Sequence, residues 1–108
     1  VNVTDAAGRL EYCNDALARL HGYDAPADLL GRPWDVLYTP DEARRLAAHA
    51  DQLRAAHGAW QAETVGRRAD GTTFPQELTV APLPSGGTVA LVRDVTERRA
   101  QEELLRTW

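Results

Sequence analysis

The chain has 108 residues, about one domain, and a chain of that size buries roughly two-thirds of its unfolded surface, enough for a core without staples. A single cysteine, Cys13, excludes an intrachain disulfide and a Cys-rich metal site, and the apolar runs are too short to span a membrane. The formal net charge of −4 argues against a generic nucleic-acid binder, whose surface is normally basic.

Val1-Asn2-Val3-Thr4-Asp5 alternates and reads as a strand, Ala6-Ala7-Gly8-Arg9 as a turn, and Leu10-Glu11-Tyr12-Cys13 as a second strand closing a hairpin. Asn14 or Asp15 caps a short helix through Leu20 that Gly22 ends. Ala25 to Leu30 reads as another short helix, stopped by Gly31 and Pro33, and Trp34 to Leu37 as a helical turn. The longest helix runs from Asp41 to His57, with Thr39 as N-cap, Pro40 at the first position, and an apolar stripe of Leu46, Ala50 and Leu53 edged by His49. Three strands follow, Ala59 to Gly66, Thr72 to Ala81 and Thr88 to Thr96. The first two are joined by an Asp70-Gly71 hairpin, since glycine readily takes the positive φ such turns need. Glu97 to Trp108 contains no breaker and reads as a helix leaving the domain. Strands at both ends with helices between them predict an α+β domain, one antiparallel sheet with helices on one face.

The chain contains no internal repeat, starts at Val1 and holds no methionine, so it reads as a segment of a longer protein. No basic-plus-apolar leader is visible, which places the expected location in the cytoplasm. All 12 positive residues are arginine and alanine is abundant, which reads as the mark of a GC-rich genome. A phosphate site would need the arginines on one face, whereas here they are scattered apart from the pairs Arg44-Arg45, Arg67-Arg68 and Arg98-Arg99.

Four phrases stand in a telling order: Val3-Thr4-Asp5 with Gly8-Arg9-Leu10 and Asn14; His21-Gly22-Tyr23 with Leu29-Leu30-Gly31-Arg32; Arg68-Ala69-Asp70-Gly71-Thr72 with Phe74-Pro75; and Arg93-Asp94-Val95-Thr96-Glu97-Arg98. On them the chain resembles a PAS domain over nearly its whole length. The resemblance implies a five-stranded antiparallel sheet in spatial order 2-1-5-4-3, helices over one face, a ligand cavity between them, and a C-terminal exit helix. It divides the chain into a sensor domain, residues 1–96, and the start of a linker helix, residues 97–108. It also implies that Asp94 and Thr96 relay a signal from the sheet to that helix. Independently of the resemblance, short polar side chains here can bond each other and cap free helical N–H groups.

Strand alternation assigns Trp60, Ala62 and Thr64, then Phe74, Gln76, Leu78 and Val80, then Thr88, Ala90 and Val92 to the inner face under the long helix. Gln61, Glu63, Val65, Pro75, Glu77, Thr79, Val89, Leu91 and Arg93 face outward, with Glu77 between Glu63 and Arg93 and a modest Glu77–Arg93 ion pair expected. Val65, Val89 and Leu91 form an apolar patch that would suit a flanking helix or a partner subunit. The candidate cavity residues are Trp34, Leu46, His49, Leu53, Trp60, Thr64, Phe74, Gln76, Leu78 and Val80. The polar Thr64 and Gln76 could hold a ligand or water, or simply bond each other; an ordinary filled core outweighs a tight ligand. His21 and His57 read as surface residues.

No cofactor is expected. In haem-binding relatives the axial ligand falls on Ala47, and His49 stands two residues away, about 200° around the helix; the distal arginine of those relatives falls near Ala62. Covalent flavin chemistry needs a cysteine in the helical region, and Cys13 lies on a strand, so haem and covalent flavin are both disfavoured. Non-covalent FAD, stacked on Trp34 and Trp60, stays open. No nucleophile elbow, phosphate loop, metal spacing or catalytic triad is present, so the segment does not read as an enzyme. The exit helix carries Leu104, Leu105 and Trp108 at near-heptad spacing, the residues expected at a dimer or packing contact, over less than two heptads.

The sequence thus reads as a sensory module that binds a small ligand or a partner and relays the change through Asp94-Val95-Thr96. The receiver would be an effector in the same polypeptide, a histidine kinase or a cyclic-dinucleotide enzyme, and the module a homodimer. The alternatives are a ligand-free dimerisation module and, further off, a haem or FAD sensor.

Overall fold

The computed structural model describes residues 1–54 and 58–108, with the side chains of 51–57 left aside. The elements are β1 (Asn2–Thr4), β2 (Leu10–Cys13), α1 (Asp15–Leu20), α2 (Pro40–Arg54), β3 (Trp60–Arg67), β4 (Thr73–Pro82), β5 (Thr88–Asp94) and α3 (Thr96–Thr107). The five strands form one antiparallel sheet in the order β2-β1-β5-β4-β3, as the resemblance implied. Trp34–Leu37 is a helical turn of the tighter 3₁₀ form. The helix read from Ala25 to Leu30 is shorter than expected. Only Pro26–Asp28 closes, again as a 3₁₀ turn, with Pro26 at its first position and Gly31 at φ +82° turning the chain away shortly after it. The expected end of the long helix at His57 lies outside the described residues.

Local chemistry explains the boundaries. Asn14 Oδ1 accepts the Leu17 amide at 3.0 Å and starts α1, which resolves the Asn14-or-Asp15 choice in favour of Asn14. Thr39 Oγ1 accepts the Glu42 amide at 3.4 Å, and Asp41 and Glu42 occupy the positive end of the α2 dipole. At the β3–β4 turn Gly71 sits at φ +89°, and Asp70 Oδ1 accepts both the amide and the hydroxyl of Thr72, at 2.9 and 2.6 Å. These contacts pin an eight-pair register from Trp60↔Val80 to Arg67↔Thr73.

The core lies between the inner sheet face and the helices. Leu10, Cys13, Leu17, Ala18, Leu29, Leu37, Tyr38, Ala43, Leu46, Leu78 and Ala90 are buried together. Burial alternates along β4 as read, with Phe74, Gln76 and Leu78 inside and Pro75, Glu77 and Thr79 half-buried. At Gly66 the strand passes so close to its neighbours that a Cβ would collide with Gln76 Nε2 and Phe74 Cζ, which explains a glycine inside a strand. His21 corrects the sequence reading. It has no exposed surface, its Nδ1 hydrogen-bonds the Arg67 carbonyl at 2.8 Å, and its own carbonyl accepts the Ala69 amide at 2.8 Å. It ties the end of α1 to the β3–β4 hairpin.

Candidate functional site

A cavity of about 210 Å³ opens between the inner sheet face, α2 and the Trp34–Leu37 turn. Its body is apolar, walled by Trp34, Leu37, Leu46, Ala47, Ala50, Trp60, Leu78, Val80 and Ala90. Small side chains at 50 and 90 leave the space that larger ones would fill, and Ala47 lies exposed at its rim. One end is polar. Asn2 and Thr4 project from β1 beside β5, where the register sets Asn2 against Ala90 and Thr4 against Thr88. The Thr4 and Thr88 hydroxyls meet at 2.6 Å.

Five of the residues read from the sequence meet here: Trp34, Leu46, Trp60, Leu78 and Val80. His49 stands just outside the lining, half-buried with its ring edge-on to Trp60 at 5.0 Å. The Leu53 side chain lies outside the described residues. Thr64, Phe74 and Gln76 share the inner face but sit further along it. Thr64 and Gln76 are register partners, yet they do not bond each other. The Thr64 hydroxyl donates to Glu42 Oε2, and Gln76 Oε1 accepts the Tyr38 hydroxyl at 3.0 Å. Gln76 Nε2 is buried with no partner among the described residues. Phe74 packs edge-on against the His21 ring at 5.1 Å, with the Arg68 guanidinium 4.6 Å from its centroid.

Sequence reasoning missed Asn2, Thr4 and Tyr38. The signal for the first two was available: β1 alternates, so Asn2 and Thr4 share a face, and the expected order sets β1 beside β5. Tyr38 carried no such pattern, because it follows a helical turn.

Electrostatics concentrate on the α2 side. The Glu42 carboxyl is held down to about 2, chiefly by the Arg45 guanidinium at 2.7 and 2.8 Å, and further by the Thr64 hydroxyl and the Val65 amide, against the opposing effect of burial. Burial, with the nearby Glu42 charge second, pushes the Tyr38 phenol well above its ordinary range, so it stays a neutral donor. Among the described residues no group of three or more His, Cys, Asp and Glu is placed to hold a metal. No helix there is long and apolar enough to cross a membrane.

At the far end of the sheet, Asp94 Oδ1 accepts the Thr96 amide at 2.8 Å and the Thr96 hydroxyl at 2.6 Å, fixing the first turn of α3. Val95 is buried and its amide donates to the Pro75 carbonyl at 3.2 Å. On the outer face Glu77 lies opposite both Glu63 and Arg93 as read, but its cation is different. Arg98 of α3 reaches Glu77 at 3.3 Å and Glu63 at 2.8 Å, where a Glu77–Arg93 pair was expected. The first turn of α3 brings the Arg98 guanidinium onto the outer sheet face, a contact that strand pairing alone does not reveal. Leu104, Leu105 and Trp108 are exposed, Trp108 at 94 %.

Comparison with known proteins gives the arrangement its family. The chain is 31% identical over 83 residues to a PAS domain-containing serine/threonine-protein kinase of Mus musculus, covering 77% of this chain and 6% of that protein. It is 28% identical over 112 residues to Sensor protein FixL of Bradyrhizobium diazoefficiens, covering 96% of this chain and 22% of that one. The chain therefore spans under a quarter of the length of either relative. Among solved structures it is similar to the PAS domain of a LuxR-family transcriptional regulator from Burkholderia thailandensis, in complex with ethanol. There the TM-score is 0.76 and the identity 29%, over 87% of this chain and 88% of the other. The family model for the PAS domain matches residues 1–97, and the chain belongs to the PAS domain family, sensory modules of signal-transduction proteins.

Proposed function

We propose that this PAS domain senses a small neutral amphiphile, with an apolar body the size of one ring and a single hydrogen-bonding group. The observation that carries the reading is the cavity itself. Its volume of about 210 Å³ is in the class that holds a benzene-sized ligand. Pockets for drug-sized ligands measure about 300–1,000 Å³. The apolar walls would take the ring, and Asn2 with the Thr4–Thr88 hydroxyl pair would take the polar group. The ethanol complex of the similar regulator supports a ligand of this chemistry. Binding would favour one of two conformations of the sheet, and Asp94–Thr96 would pass the difference to α3. The receiver would be a cytoplasmic effector in the same polypeptide, a kinase or a cyclic-dinucleotide enzyme. Residues 97–108 would begin the linker, with Leu104, Leu105 and Trp108 meeting a second copy.

A ligand-free dimerisation module is the second reading, favoured by the exposed Leu104, Leu105 and Trp108 and by Val65 and Leu91 on the outer sheet face. The test begins with a visible absorption spectrum and a native mass spectrum of the purified chain. Benzyl alcohol is then titrated while the methyl signals of Leu46, Leu78 and Val80 are followed by NMR. Saturable shifts at those methyls are expected. A Soret or flavin band would replace the reading with a cofactor sensor. Unmoved methyls at millimolar probe, in a colourless dimer, would move it to the dimerisation module.

A further inference from the structure

We infer that Glu63 is a second joint between the cavity helix α2 and the exit helix α3, a positioning residue acting beside Asp94–Thr96. The inference rests on the sensor reading above for its purpose, and on geometry for its existence. Glu63 touches both helices. Its backbone carbonyl accepts Arg45 Nη2 of α2 at 3.2 Å, while its carboxylate accepts Arg98 Nη2 at 2.8 Å and Arg99 Nη2 at 2.7 Å of α3. Arg45 is itself locked by two bonds to Glu42, one turn nearer the start of α2. The same helix presents Leu46, Ala47 and Ala50 to the cavity.

The exit helix is suited to having two states. No residue of α3 is buried, so little apolar contact holds it, and its side-chain contacts with the sheet come from Arg98 and Arg99 of its first turn. What holds it is charge. Glu63 and Glu77 face each other across β3 and β4, a like-charge pair that destabilises a sheet unless a cation bridges it. Arg98 bridges both. If α3 leaves, the two carboxylates repel and β3 feels it. If β3 is displaced by α2, the bridge loosens and α3 feels it. This reciprocity is what coupling between two sites requires.

The test is amide hydrogen exchange of the 108-residue chain, read on α3 with the β4 amides as the folding control. Glu63→Gln should speed exchange at Arg99, the first backbone-bonded amide of α3, and at the amides of the turn after it by roughly three- to tenfold, given what a few exposed ion pairs are worth. Arg98→Gln with Arg99→Gln should reproduce this from the surface side. Arg45→Gln contacts no atom of α3, yet it should also speed α3 exchange, and in the Glu63→Gln background it should add nothing. Glu42→Gln offers the same cut from α2 should Arg45→Gln disturb the β4 control. Cuts on α2 that leave α3 exchange unchanged, or whose effect simply adds to that of Glu63→Gln, overturn the joint. A second arm adds benzyl alcohol. A change in α3 exchange that is at least halved in Glu63→Gln supports the joint, whereas an equal change in both chains overturns it and leaves the sensor reading standing. If the probe never reaches the cavity methyls, the sensor reading falls and the ligand-free cycle still decides the joint.

Discussion

A histidine without exposed surface must be neutral or pay a large desolvation cost, and His21 shows how one residue can set a pH limit. Its Nδ1–H donates to the Arg67 carbonyl, which leaves Nε2 as a bare acceptor, buried and unpartnered among the described residues. Burial is the main cause that lowers its pKa, the Arg67 bond opposes, and the Arg68 charge adds to the lowering. The folded pKa therefore lies below the unfolded value of about 6.5, so the unfolded chain binds the proton first. His21 costs nothing above the unfolded pKa, and stability falls as pH drops through it, levelling off below the folded pKa. Urea midpoints measured from pH 7.5 to 5 should decline in the wild type. In His21→Asn, whose amide can still donate to Arg67, they should decline less, from a lower starting point. Parallel slopes in the two proteins would refute a neutral buried His21. Nothing in the sequence flagged this burial, because the residue sits where α1 stops and no periodicity applies. By contrast Trp34, Leu46, Trp60, Leu78 and Val80 were legible, since each lies in or beside an element whose period points it inward.

Among the elements, α3 depends most on its first turn. Its remaining surface is exposed, and Asp94 Oδ1 satisfies two donors at its start. Asp94→Ala leaves the Thr96 amide and hydroxyl without that acceptor and should cost about 1 kcal/mol of local stability, as lost helix caps do. Asp94→Asn keeps an acceptor oxygen and should recover most of it. Exchange rates of the first α3 amides report both. Equal rates in wild type and Asp94→Ala would mean that Val95, buried and bonded to Pro75, anchors the helix unaided. The Asp94–Thr96 bond was readable from the Asp-x-Thr spacing, and strand order came with the family phrases. The bridge from Arg98 to Glu63 and Glu77 was not readable. It depends on the angle at which the first turn of α3 leaves β5, which no local pattern encodes. Pairing of Thr64 with Gln76 failed for a related reason: register was right, but Glu42 and Tyr38 offered better-placed partners from the helical layer.

For the molecule as a whole, the question is why a domain this small leaves an open cavity beside its core. Interiors are normally packed to crystal density, and every unfilled space forfeits dispersion contacts. Two alanines, Ala50 and Ala90, stand where larger apolar side chains would close the cavity, with Ala47 exposed at its rim. If the space exists for a ligand, closing it should improve stability and abolish binding together. Ala50→Leu adds three carbon atoms from α2 toward the sheet. It should stabilise the fold by about 1 kcal/mol, or ~4–8 °C in Tm for a domain of this size. It should also weaken benzyl alcohol binding at the Leu46, Leu78 and Val80 methyls by more than about tenfold, a loss of ~1.4 kcal/mol or more. Thermal unfolding and the NMR titration measure the two independently. A destabilised variant would show that the walls already touch, since overpacking costs about 1–3 kcal/mol, and the domain would then be a filled core with no room for a ligand. A stabilised variant that still binds the probe would locate binding elsewhere on the molecule. Only the joint outcome, firmer and empty-handed, identifies the cavity as a feature that the sequence maintains at the expense of stability.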